Sequence, residues 1–242
     1  MKWNRTRSVT TPVLLALVLT GCGAEPADAP PGVRASADTA PLPPMMGAQQ
    51  RIVALGDSLF AGYGLEPGQS YPARLETALR ARGINARIMN AGVSGDTTAG
   101  GLQRLDFTLN SDPNPPALVL ISLGGNDMLR GLPPKQTRSN LDAILTRLKQ
   151  RKVPVMLMGM IAAPNMGADY AAQFNPIYPA LAKKHGAALV PFFLQTLLDK
   201  PDLVQPDHVH PTAPGVDLLV ADTADAVAKA LPARPAVPQT RR

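Results

Sequence analysis

The chain is short of the residue types that carry several common chemistries. Among its 242 residues are one cysteine, Cys22, three histidines and only 4% aromatic residues. A single cysteine excludes an intrachain disulfide and any cysteine-based metal cluster. No block of five or more Lys or Arg occurs, and so few aromatics offer no stacking surface, which argues against a nucleic-acid partner despite a net charge of +6. The chain also lacks a long hydrophobic run. Its most apolar amino-terminal stretch, Val13 to Leu19, is far shorter than the roughly 20 residues that span a bilayer. No internal repeat is present. What remains is 45% apolar and 17% charged, enough for one sizeable core.

That short apolar stretch follows Lys2, Arg5 and Arg7 and runs into Leu19-Thr20-Gly21-Cys22. A basic start, an apolar centre and small residues form the layout of an export signal. The segment resembles a bacterial lipoprotein signal, in which the cysteine is lipidated and becomes the mature amino terminus. The resemblance implies a signal over residues 1–21, lipidation at Cys22 and a mature net charge of +3, since the three basic residues leave with a leader that holds no acid. Residues 22–50 are rich in Ala, Pro and small polar side chains and read as a tether. Its 28 residues after the cysteine would reach about 30 to 85 Å, depending on how far proline stiffens them. Gly23, where an aspartate would favour inner-membrane retention, implies an outer-membrane lipoprotein facing the periplasm. Residues 232–242 read as a Pro-rich, disordered tail.

Between these appendages, from Arg51 to Leu231, apolar runs alternate with helical stripes. Ile52 to Leu55, Ala86 to Ala91, Ala117 to Leu123, Val153 to Met160 and Ala187 to Val190 are the strand candidates. Helices are expected over Tyr71 to Arg82, Thr98 to Leu109, around the stripe Leu141, Ile144, Leu145 and Leu148, and over Gly215 to Leu231. Such alternation implies βαβ units and a parallel sheet covered on both faces. Met156, Met158 and Met160 are accounted for as core filling.

The first apolar run ends in Gly56-Asp57-Ser58-Leu59, which places a serine at a strand exit, where open α/β sheets keep their ligand crevices. A serine hydroxyl is a weak nucleophile until an imidazole takes its proton, and that imidazole works best with a carboxylate to orient it. Asp207-His208-Val209-His210 contains both groups, and Asp207 and His210, three apart, can share one side of a turn while His208 points elsewhere. Pro211 suits the first turn of the last helix, which would bring His210 in at that helix's amino terminus. Asp207, His208 and His210 could instead hold a metal. Two glycine-flanked loops, Asn90 to Thr97 and Gly124 to Asp127, would open on the same sheet edge and offer donors for an oxyanion, although turns favour the same residues. Gly62-Tyr63-Gly64 lacks the third glycine of a dinucleotide fingerprint because Pro67 occupies it, and Gly92-Val93-Ser94-Gly95 misses the G-x-S-x-G elbow because Asp96 follows.

Taken together, GDSL, SGDT, GGND and DHVH match the four ordered blocks of the GDSL or SGNH hydrolases, and the chain resembles their bacterial thioesterase I/lysophospholipase L1/arylesterase group over its whole body. The resemblance implies a flavodoxin-like three-layer α/β/α sandwich with a five-stranded parallel sheet. It makes Ser58 the nucleophile and first oxyanion donor, Gly95 the second donor, Asn126 the third, Asp207 the carboxylate and His210 the general base. An ester, thioester or lysophospholipid would be cleaved through an acyl-enzyme, with no cofactor or metal required. Met128, Leu129 and Leu132 after GGND, with Met166, Tyr170 and Phe174 after the fourth strand, are candidates for an acyl groove. A carbohydrate O-deacetylase on the same fold and a non-catalytic, acyl-binding envelope lipoprotein are the competing readings.

Overall fold

A computed structural model describes residues 46–232. The expectations for the signal, for Cys22, for most of the tether and for nearly all of the tail lie outside the described residues. No helix among the described residues is long and apolar enough to cross a membrane.

The chain alternates strand and helix: β1 (Met46–Gly56), α1 (Ser58–Ala61), α2 (Tyr71–Ala81), β2 (Ile84–Gly92), α3 (Thr98–Asn110), β3 (Leu118–Ser122), α4 (Gly125–Leu129), α5 (Pro134–Gln150), β4 (Val155–Met158), α6 (Ala168–Phe174), α7 (Ile177–His185), β5 (Ala188–Val190) and α8 (Ala213–Ala230). The five strands are all parallel, in the order β2-β1-β3-β4-β5. α2 packs on α8, whereas α3 packs on α5 and α5 on α7, so the sheet is the middle of three layers. Parallel strands covered on both faces need continuous apolar runs. Ile52 to Leu55 and Leu118 to Ile121 supply them and are fully buried. The expected stripe of α5 is buried along its length, and Met156, Met158 and Met160 fill core space.

Two expectations need correction. The tether does not run to residue 50, because β1 already begins at Met46. Met46 pairs with Ile84 and Gln50 with Ala86, with a bulge between them. Gly47, Ala48 and Gln49 are exposed, so the start of this strand carries no apolar pattern from which it could be read. Nor does Pro211 open the last helix. Thr212 is the N-cap, its side chain accepting from the Gly215 N–H, and Pro214 is the proline of the first turn. Pro211 instead forms an antiparallel bridge with Val204.

The register fixes where the loops emerge. Gly56 of β1 lies opposite both Gly92 of β2 and Ser122 of β3. The three segments GDSL, VSGDT and GGND therefore leave neighbouring strands at one level of one edge. This is the point where the strand order reverses, since β1 is followed in sequence by β2 on one side and β3 on the other.

Candidate active site

Ser58 is the first residue of α1, immediately after the β1 exit. Asp57 caps this short helix, its Oδ1 accepting the Leu59 N–H at 3.0 Å, and Gly62 closes it in a left-handed conformation. The two strand-end glycines admit the helix. A β-carbon on Gly56 would meet the Phe60 ring at 2.6 Å, and one on Gly92 would collide with the backbone of Ala61. Beneath α1, Phe60 stacks on Tyr71 with ring centroids 5.4 Å apart, and Phe193 meets both edge-on.

A tight reversal between α7 and α8 brings in the imidazole. The Gln205 N–H donates to the His210 carbonyl and the Thr212 N–H to the Leu203 carbonyl, so residues 203–212 fold back on themselves. At the tip, His208 takes a left-handed φ of 59° and stays exposed, pointing its side chain out of the arrangement. Asp207 Oδ1 accepts the N–H groups of Val209 and His210, at 2.9 and 3.0 Å. Its Oδ2 lies 2.6 Å from His210 Nδ1, and His210 Nε2 lies 2.8 Å from Ser58 Oγ. Serine, imidazole and carboxylate form one line across 152 residues of sequence. Desolvation is the largest single influence on Asp207 and works upward. The backbone N–H and ring of His210, with the Val209 N–H, outweigh it and hold the carboxyl at about 2. The carboxylate is thus ionised where the imidazole needs it. No three metal-ligating side chains come together among the described residues, and both ring nitrogens of His210 are engaged by Asp207 and Ser58.

The oxyanion candidates sit on the two neighbouring loops. As the first helical residue, Ser58 has no preceding turn to accept its N–H. Gly95, at φ +80°, makes no hydrogen bond through its N–H among the described residues. Asn126 Nδ2 uses one proton on the Asp96 carbonyl, at 3.0 Å, which leaves the other free. Asn90, expected in the loop, belongs to β2 and ties it to α1 by donating to the Phe60 carbonyl at 2.8 Å.

Several residues to which the sequence patterns assigned no role hold this edge together. The Arg104 guanidinium reaches three ways: Nε to the Asp96 carboxylate at 2.7 Å, Nη1 to the Ala91 carbonyl at 2.7 Å, and Nη2 to the Gly56 carbonyl at 2.8 Å. It joins the strand that carries Ser58 to the loop that carries Gly95. Arg130 Nη2 donates to the Gly95 carbonyl at 2.6 Å and holds the same loop at a second point. Asp127, fully buried, accepts the Thr98 N–H at 2.8 Å and the hydroxyls of Thr98 and Thr137, anchoring the turn after Asn126. Asp57 is almost fully buried, and desolvation pushes its carboxyl up to about 6, the opposing pull of the Leu59 N–H and His210 notwithstanding.

The expected acyl-groove residues divide. Leu129 is exposed, while Met128, Leu132 and Met166 are half-buried, Met128 with its sulfur against the Ala163 N–H. Phe174 is fully buried between Tyr170 and Tyr178, so it is a core residue and lines no groove. It falls on the inward face of α6, a phase that a seven-residue helix is too short to reveal in sequence. Tyr170 is half-buried and donates to the Leu132 carbonyl at 3.0 Å, which fixes the loop after GGND. A concavity of about 740 Å³ bordered by Arg51, Asp112, Asn114 and Arg151 lies at the opposite, amino-terminal edge of the sheet and contains none of these residues.

Known proteins share much of this sequence and its fold. Over 164 residues, 68% of this chain, the sequence is 42% identical to an arylesterase of Vibrio mimicus and 38% identical to thioesterase 1/protease 1/lysophospholipase L1 of Escherichia coli, spanning 81% and 76% of those proteins. The crystal structure of AlinE4, described as an SGNH-hydrolase family esterase, is 63% identical and superposes with a TM-score of 0.66 over 78% of this chain and all of that one. A model of the GDSL-like lipase/acylhydrolase family matches residues 54–218, from the strand that delivers Ser58 to the helix that follows His210, and the chain belongs to that family.

Proposed function

We propose that this protein is a serine esterase that hydrolyses carboxylic esters or thioesters through an acyl-enzyme on Ser58. The observation that carries the reading is the continuous line from Ser58 Oγ to His210 Nε2, at 2.8 Å, and from His210 Nδ1 to Asp207, at 2.6 Å. Similarity to proteins named arylesterase and thioesterase supports the substrate class.

The steps follow from the positions. His210 Nε2 takes the Ser58 hydroxyl proton as Oγ bonds to the acyl carbon, and the carbonyl electron pair moves onto oxygen. The N–H groups of Ser58 and Gly95 and the free Nδ2 proton of Asn126 are the donors for that oxygen. Asp207 steadies the imidazolium and holds the tautomer. When the carbonyl re-forms, the bond to the leaving oxygen or sulfur breaks, and that atom receives the proton from Nε2. Water then repeats the sequence, with His210 as its base, and frees the acid and Ser58.

The lipobox-like Leu19 to Cys22 supports an exported lipoprotein held at the cell envelope, at the outer membrane and facing the periplasm. There it would meet lysophospholipids and short esters in preference to cytosolic thioesters. Met128 and Leu129 at the end of α4, with Leu132, Met166 and Tyr170 beyond it, are the groove residues for longer chains.

Hydrolysis of p-nitrophenyl esters from C2 to C16 by the full chain, beside Ser58→Ala and with a chelator, tests the reading. Activity that is lost in the variant, survives chelation and peaks at medium or long chains is expected. A C2-only profile would replace the lipolytic reading with carbohydrate deacetylation. Activity equal to the variant on every ester would leave a binding protein.

A further inference from the structure

We propose that Tyr63 is a positioning residue for the general base, held over the His210 ring by Gln205; the inference rests on the esterase reading above. Tyr63 lies just past α1, in the loop that also contains Gly62 and Gly64. Its ring sits on the His210 imidazole with centroids 4.5 Å apart and planes tilted by 35°. Its exposure, 53%, shows that core packing does not put it there, since a side chain placed only by burial would not stay half in water.

What holds it is a side-chain amide. Gln205 Nε2 donates both protons, one to the Tyr63 carbonyl at 2.8 Å and the other to the Pro211 carbonyl at 2.9 Å, while the Gln205 N–H donates to the His210 carbonyl at 2.7 Å. One residue thereby ties the loop after the nucleophile to both the base and its following residue. Gly64, at φ +71°, makes the approach possible, because a β-carbon there would collide with Gln205 Oε1.

Two consequences follow for the reaction. The aromatic ring covers one face of the imidazole, leaving it fewer orientations in which Nε2 misses Ser58. It also presents its electron-rich face to a ring that becomes positive during each acyl transfer, and cations are attracted to aromatic faces within about 6 Å. The imidazolium exists only between proton uptake and proton release, so the effect belongs to kcat and leaves KM alone.

The test compares the full chain with Tyr63→Phe, Tyr63→Leu and Gln205→Met. Tyr63→Phe keeps the aromatic face and should retain kcat within about twofold. Tyr63→Leu keeps bulk but no π face and should lower kcat about fivefold, with KM within about twofold. Gln205→Met removes both donors at near-equal size and should lower kcat in the same direction. In NMR spectra, the His210 ring protons should show an upfield ring-current displacement in the native protein and Tyr63→Phe, absent in Tyr63→Leu and reduced in Gln205→Met. An unchanged kcat in Tyr63→Leu would overturn the proposal. So would a change in KM alone, which would make Tyr63 a substrate contact, or an equal loss in Tyr63→Phe, which would assign the effect to the hydroxyl. If the native chain hydrolyses no ester, the esterase reading fails by itself, and the ring-current comparison still decides whether Tyr63 and Gln205 fix the histidine.

Discussion

Replacing Asp57 by asparagine probes the cost of placing a carboxylate beneath the nucleophile. Asp57 is 2% exposed, and burial raises its carboxyl from 3.8 to about 6. A folded-state value above the unfolded one means that the folded protein binds the proton more tightly. Stability contributed by the neutral acid is therefore complete below about pH 4 and is lost as pH rises through about 6. At about 1.36 kcal/mol for each tenfold change in proton affinity, a rise of that size makes the ionised form cost about 3 kcal/mol at pH 8. The asparagine side chain would still offer an oxygen to the Leu59 N–H and would carry no charge. Urea titrations at pH 4, 6 and 8 should show Asp57→Asn gaining on the native protein by up to about 3 kcal/mol at pH 8, with no gain at pH 4. Titrating groups that do not act on Asp57, Asp207 included, are common to both proteins and cancel in the difference. A gap that is the same at pH 4 and pH 8, or an asparagine variant that is less stable throughout, would refute the burial argument.

The remaining expectations concern single contacts. Arg104→Ala should lower kcat about tenfold or more with little change in KM, and Arg104→Lys should not restore it, because an ammonium cannot reproduce a planar three-way fork. Asp207→Asn should cost about 10³ to 10⁴ in kcat, by analogy with the same change in serine proteases, measured under saturating p-nitrophenyl ester. The depressed carboxyl of Asp207 also predicts that its support for the fold is present above about pH 4 and falls away as pH drops through about 2, which acid titration of native and variant proteins would compare. Phe174→Ala should destabilise by about 3 to 5 kcal/mol in urea while leaving the order of preference among ester chain lengths unchanged; an altered preference would return Phe174 to the groove.

Legibility in the sequence followed the range of the interactions. Ile52 to Leu55 and Leu118 to Ile121 are buried on both faces, and a fully buried parallel strand is written as an unbroken apolar run. Asp207 and His210 are three residues apart, so their contact was readable as a turn. Arg104 had no such signal. Two of its three partners, Ala91 and Gly56, lie 13 and 48 residues away and accept through backbone carbonyls, which any residue type provides. Gln205 was equally silent, since it serves Tyr63 across 142 residues and again through a carbonyl. The misassigned Pro211 shows the limit of a single local rule. Two prolines flank Thr212, and only the N-cap bond from its side chain decides which of them is inside the helix. Similarly, Phe174 is apolar in either reading, and its inward phase is set by Tyr178 on the next helix.

The scarcity of aromatics, which first argued against a nucleic-acid partner, bears on catalysis once their positions are known. The chain has five Phe and four Tyr. Three of them, Phe60, Tyr71 and Phe193, form the floor under α1 and therefore under Ser58. Three more, Tyr170, Phe174 and Tyr178, stack beside the GGND turn, where the hydroxyls of Tyr170 and Tyr178 donate to the carbonyls of Leu132 and Leu123 on either side of Asn126. A seventh, Tyr63, covers His210. Large rigid rings limit the motion of what they pack against, having few rotatable bonds and much contact area. A site built from loops at a sheet edge otherwise lacks that rigidity, because loops carry few of the contacts that fix a core. Nucleophile, amide donor and base each rest on their own aromatic support, and Arg104 links the nucleophile's strand to the loop between the first two. The geometry that aligns Ser58, His210 and Asp207 is therefore held from beneath by packing and from the side by charge, with neither arrangement requiring a bound substrate to form it.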